Sequence, residues 1–186
     1  NNDIGYFHQN LFKYIANCEV PNEGWDVIYK CAAGIPTANG GSVHTVYCEL
    51  KNKHNTMNMA SGNNTYLKMQ HQLLEDDDCM CYLLEVISKK SQNSIWCHTI
   101  EKRKYMHEKI RKVSIDKFYE LITGEPDAFY QICMILPDVI ENIVNSDAEF
   151  KVEEDTVIKE LLAKSKDKHG DAMLMALYLL GFGTYA

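Results

Sequence analysis

The chain has 186 residues, 46% of them hydrophobic and 24% charged, with a formal net charge of −7. That length suits one domain with a sizeable core, and no stretch approaches the roughly 20 apolar residues that a membrane span needs. A net negative charge argues against a surface built throughout for nucleic acid, but the charge is unevenly distributed. Glu101 to Lys117 holds seven basic residues against three acidic ones, Leu50 to Leu74 holds Lys51, Lys53 and Lys68 with no acid, and Glu125 to Glu160 holds ten acids and two lysines. A basic middle and an acidic C-terminal third fit a cleft-bearing enzyme with a solvated back. The seven cysteines are odd in number and form no C-x-x-C pair, which suits reduced thiols in a cytoplasmic protein. Cys79-x-Cys81 reads as two core thiols rather than a zinc site. There is no signal-peptide pattern and no initiator Met, so the numbered chain is expected to lack its natural N-terminus.

In chain order, Asp3 can cap a first helix in which Ile4, Phe7, Leu11 and Ile15 recur at helical spacing, with His8, Gln9 and Phe12 on an adjacent face. Trp25 to Tyr29 and Val43 to Lys51 are rich in β-branched and aromatic residues and read as strands. Cys31 to Ser42 between them is crowded with Gly, Pro and Asn, so the simplest topology is an antiparallel hairpin with its turn at Asn39-Gly40-Gly41. Side chains alternate along a strand, so Glu49 and Lys51 share one face while Val46, Cys48 and Leu50 take the other. Taken alone, such a pair is ordinarily a solvated ion pair. The hairpin, however, brings Asp26 beside Glu49 and Lys51. Two carboxylates in one place repel unless a cation lies between them, and Mg²⁺ prefers oxygen ligands, here Asp26, Glu49 and the Leu50 carbonyl.

Asn52 to Thr65 reads as a polar loop and Thr65 to Glu75 as a helix with Tyr66, Met69 and Leu73 inward, ended by the acidic turn Glu75 to Asp78. Cys79 to Ser88 is almost continuously apolar, as in a central strand covered on both faces. Its Glu85 is costly to bury unless paired, and a lysine partner is expected. Ser94 to Ile100 reads as one more strand, Glu101 to Lys112 as a basic loop or ribbon, and Asp116 to Thr123 as a helix stopped by Gly124. Pro126 suits a helix start and Pro137 a kink. Asp155 to Lys164 and Asp171 to Leu180 read as further helices. The order predicts a single α/β domain over 1–186, with a mixed-sheet core over about 1–123 and a helical C-terminal lobe over about 124–186.

An Asp followed by Glu-x-Lys at the end of the next strand resembles the PD-(D/E)xK nuclease superfamily. The longer string Glu49-Leu-Lys-Asn-Lys-His-Asn-Thr56, with Asp3-Ile-Gly-Tyr-Phe-His-Gln9 upstream, is similar to the type II restriction endonucleases that cleave GGNCC or GGWCC sites. The likeness runs from Asn1 to about Lys90, with one departure: Trp25, not Pro, precedes Asp26. The resemblance implies a restriction-endonuclease-like core and Mg²⁺-dependent hydrolysis of both strands of double-stranded DNA, leaving 5′-phosphates. It implies Asp26, Glu49 and Lys51 as catalytic residues, with Asp26, Glu49 and Leu50 as metal ligands. It also implies a homodimer on a short palindrome, a cognate DNA methyltransferase in the same system, and a prokaryotic cytoplasmic location. It places the first helix beside the active site, where Gln9 could steady a phosphate or water. Lys53, His54, Asn55 and Thr56 of the loop, and Arg103, Lys104 and Arg111 of the basic segment, are the candidate DNA contacts, since such side chains bond to phosphates and base edges.

Overall fold

The computed structural model describes residues 3–53 and 57–135, with side-chain surroundings for 8–51 and 57–135. In chain order the elements are α1 (Asp3–Phe12), β1 (Cys18–Glu19), β2 (Val27–Pro36), β3 (Ser42–Lys53), α2 (Met59–Glu75), β4 (Cys79–Ile87), β5 (Asn93–Ile95), β6 (His98–Ile100), β7 (Arg103–Tyr105), β8 (Ile110–Ser114) and α3 (Ile115–Thr123). A further helical stretch covers 128–135. The expected helices at Asp155 to Lys164 and Asp171 to Leu180, the kink at Pro137 and most of the C-terminal lobe lie outside the described residues.

The hairpin of β2 and β3 forms as the turn chemistry requires, antiparallel and with Val27 opposite Cys48. The Thr37 N–H donates to the Gly41 carbonyl at 2.9 Å, and Gly40 takes a φ of +83°, a region glycine enters without a Cβ clash. Both strands run further toward the turn than the sequence suggests. The segment expected to be loop from Cys31 is strand as far as Pro36, because a register shift between Lys30 and Ile35 absorbs its irregularity. Gly34 sits within that shift at φ +77°, where an added Cβ would stand 3.0 Å from Ser42 Cβ. Glycine therefore lets the strand bulge, and the ladder resumes with Ile35 opposite Val43. Asp26 is not inside its strand, as expected, but immediately before it.

From β3 the chain crosses over through α2 to β4, which pairs parallel with β3 on one side and with β8 on the other. With β5 antiparallel at the far edge, the main sheet has the order β1-β2-β3-β4-β8-β5, and β6 and β7 form a separate ribbon. The central position of β4 accounts for its nearly unbroken apolar sequence, since every residue from Cys79 to Val86 is buried. The helix α2 starts six residues earlier than Thr65, because the Asn58 side chain caps it by accepting from the Ser61 N–H at 2.8 Å. Ser94 to Ile100 is not one strand but two, β5 and β6, belonging to different sheets. The basic segment Glu101 to Lys112 likewise divides between β7 of the ribbon and the start of the core strand β8. Periodicity does not separate such short strands.

Alternation along the strands gives the sheet two apolar faces. One carries Val27, Val46, Cys48, Met80, Tyr82, Leu84 and Val113, and packs against Phe12 of α1 and Phe118 and Tyr119 of α3. The Phe12 ring lies 5.2 Å from Phe118 and 5.3 Å from Tyr119, and α3 ends at Gly124 as expected. The other carries Cys81, Leu83 and Ile110 under Tyr66 and Met69 of α2, with Trp96 alongside. His8, which helical spacing put on the face adjacent to the apolar stripe of α1, is 4% exposed and within 3.0 Å of the Tyr119 hydroxyl. It belongs to the core. Among the described residues all the cysteines are free, including buried Cys79 and Cys81, and no helix is long and apolar enough to cross a membrane.

Candidate active site

Where β2 begins and β3 ends, the hairpin register puts Asp26 against the backbone of Cys48 to Leu50. The Asp26 N–H donates to the Cys48 carbonyl at 3.0 Å, and the Leu50 N–H donates back to Asp26 Oδ2 at 2.6 Å. Gln9 of α1 donates to the other oxygen, Oδ1, at 2.6 Å. Three elements thus converge on one half-buried carboxylate. Burial raises its pKa above the ordinary carboxylate range and the Glu49 charge adds to that, while the Leu50 N–H, Lys51 and Lys68 pull against it.

Glu49 and Lys51 leave β3 on the same face, as alternation requires, and meet at 2.9 Å between Nζ and Oε1. Lys68, one turn beyond Thr65 on α2, reaches down to the second oxygen, Oε2, at 2.8 Å. Burial alone would raise the Glu49 carboxyl, but the hydrogen bonds and charges of Lys68 and Lys51 overcome it and hold the group below its usual value. Two adjacent carboxylates are therefore biased in opposite directions, Asp26 raised mainly by burial and Glu49 lowered by its two lysines.

The donor set fits a hard divalent cation. Asp26, Glu49 and the Leu50 carbonyl offer oxygen only, and each carboxylate oxygen with one hydrogen bond keeps a lone pair free. Two side-chain ligands and a carbonyl fall below a three-carboxylate or histidine cluster, and among the described residues no such cluster occurs.

Along the same face, Glu49 is level with Leu83 and Lys51 with Glu85. Glu85 is 2% exposed and pairs with Lys112 at 3.0 Å, as its burial required, and Ser88 and Gln92 donate to it as well. A cleft of about 190 Å³ opens here, lined by Lys51, Lys112, Glu85, His98 and the first turn of α2. His98 anchors the ribbon to α2 through Asn63 Oδ1 at 2.8 Å and stacks near Tyr66. The ribbon's Arg103 and Lys104 are exposed and belong to this side of the sheet. Arg111 does not come to the site. It is level with Tyr82 on the opposite face and donates to the Asn93 carbonyl and the Glu108 carbonyl. Lys53 closes β3, and His54, Asn55 and Thr56 lie outside the described residues. Sequence reasoning did not single out Lys68 as a site residue. Its one visible signal was its place in an acid-free stretch.

A mixed sheet flanked by helices, with an aspartate at the start of one strand and Glu-x-Lys at the end of its hairpin partner, defines a restriction-endonuclease-like α/β core. The chain belongs to the Eco47II restriction endonuclease family, whose model matches residues 1–145. It is 29% identical over 153 residues to the type II restriction enzyme Sau96I of Staphylococcus aureus, an alignment covering 78% of this chain and 55% of that protein. The chain therefore spans about half the length of that relative. No solved structure matches it.

Proposed function

We propose that this chain carries the catalytic core of a Mg²⁺-dependent type II restriction endonuclease that cuts both strands of double-stranded DNA at a short GGNCC-type palindrome and leaves 5′-phosphates. The observation that carries this reading is the convergence of Asp26, Glu49 and Lys51 through the hairpin register and the Leu50 N–H. Family membership and the likeness to Sau96I support it.

In this reading Asp26, Glu49 and the Leu50 carbonyl hold the cation. Bound Mg²⁺ supplies polarisation of a phosphodiester and a lowered pKa for water. Gln9 and the Leu50 N–H fix the rotamer of Asp26, so the carboxylate presents its remaining lone pairs in one direction. Lys51 would give up part of its bond to Glu49 to orient the attacking water and to balance the negative charge on the phosphoryl oxygens in the transition state. Arg103 and Lys104 hold backbone phosphates beyond the reacting one. A twofold dimer would present two such sites to the two strands of a palindrome.

The test is digestion of a plasmid of known sequence in Mg²⁺ and in chelator, with the product ends sequenced. Discrete 5′-phosphorylated ends at GGNCC, absent in chelator, are expected. Smearing without preferred ends would instead indicate a nuclease without a site, and no cleavage at all would overturn the reading.

A further inference from the structure

The residue before Asp26 is Trp25, where the motif ordinarily has a proline whose ring stiffens the backbone. The structure shows what holds that backbone here. The Trp25 indole packs 5.5 Å from the Tyr47 ring on one side, donates its N–H to Gln72 Oε1 of α2 at 3.0 Å, and lies beneath the Lys68 ammonium, 4.1 Å from the ring centroid. The same ammonium donates to the Gly24 carbonyl and to Glu49 Oε2. One cation therefore touches the residue two before Asp26, the ring of the residue next to it, and the second carboxylate of the pair.

We propose that Trp25 and Lys68 form a clamp in which Lys68 is a positioning residue, fixing Asp26 and Glu49 relative to each other from α2. The proposal deepens the nuclease reading above and rests on it for its catalytic consequence. Its physical basis is pre-organisation. A lysine free in water loses considerable side-chain freedom when it is fixed at one carboxylate, but here an aromatic face, a carbonyl and a carboxylate share that ordering, and a cation over a partly buried indole is favourable in its own right. One carboxylate stands just before β2 and the other on β3, and a misplacement of about 1 Å between reacting groups can cost on the order of 100-fold in rate. Lys68 is 35% exposed, yet its three contacts point inward along the site rather than out toward a passing phosphate.

The experiment compares Lys68→Met, which keeps the apolar stem over Trp25 but donates nothing, with Lys68→Arg, which can still pair and stack. In the Mg²⁺ cleavage assay, Lys68→Met is expected to lower kcat by about 10- to 100-fold with KM for DNA and binding in chelator changed less than twofold, and Lys68→Arg to recover much of the loss. Acrylamide quenching of Trp25, read in a Trp96→Phe background, is expected to increase in Lys68→Met. An unchanged kcat would overturn the proposal. So would a loss confined to KM, which marks a phosphate contact, or a loss that follows a fall in Tm and is not recovered by arginine. If the unmodified chain cuts no DNA, the nuclease reading fails, and unchanged quenching would separately remove the clamp.

Discussion

At the scale of single residues, the site depends on a few side chains whose environments pull their protonation in different directions. The clearest measurable case lies just behind it, at His8. Burial lowers its pKa from 6.5 to about 4. The folded protein therefore keeps this imidazole neutral over a range in which the unfolded chain binds a proton. Stability must fall as pH drops from about 6.5 to about 4, by a His8 contribution on the order of 3 kcal/mol, and it must be fully present above that window. The expected outcome is that His8→Gln, which cannot titrate, is less sensitive to pH across this range than the parent in urea unfolding. Equal slopes in the two proteins would show that His8 is protonated in the fold. Helical spacing put His8 on the face next to the apolar stripe but could not say which neighbour covers that face. That neighbour is Tyr119, 111 residues away in the chain. Glu49 and Lys51, by contrast, were legible because strand alternation is a local rule, and Asp26 was legible because one turn signal fixed the hairpin.

At the scale of elements, the hairpin of β2 and β3 and the central strand β4 could be read from the sequence, and the short strands could not. Asn39-Gly40-Gly41 and the long apolar run of β4 are strong signals with few alternatives, whereas β5, β6 and β7 have three residues each and take their identity from their partners. The consequence reaches function, because it decides which basic residues can face the substrate. Arg111 looked equivalent to Arg103 and Lys104 in sequence, but β8 is a core strand and turns it to the face opposite Glu49. The two ribbon residues stay exposed on the side of α2. Replacing both Arg103 and Lys104 by alanine should weaken DNA binding in chelator and reduce the slope of log K against log salt by about 2. Arg111→Ala should leave that slope unchanged. The reverse pattern in a salt titration by fluorescence anisotropy would place the DNA on the other face of the sheet. Lys68 went unread for the same reason as Arg111: a helix contributes to a strand-built site only once its packing is known.

At the scale of the whole molecule, the net charge of −7 is compatible with a nucleic-acid enzyme because the charge is segregated. The acids Asp26, Glu49 and Glu85 share one face with the lysines that offset them, Lys51 and Lys68 paired with Glu49 and Lys112 with Glu85. The sheet supplies this arrangement by ordinary means. Parallel β3 and β4 bring Lys51 level with Glu85, the hairpin holds Asp26 against the backbone of Cys48 to Leu50, and α2 packs over the same face. The fold therefore builds a line of alternating charge on a rigid support. What the account depends on is that Asp26 and Lys51 act on the chemistry rather than on the grip. The direct measurement is cleavage of a GGNCC duplex in Mg²⁺ by Asp26→Ala and Lys51→Ala beside their binding of the same duplex in chelator. The account predicts that cleavage falls by at least about 1000-fold, as removal of a group acting at the transition state requires, while binding changes by less than about threefold. Cleavage retained at the parent rate by either variant would contradict it.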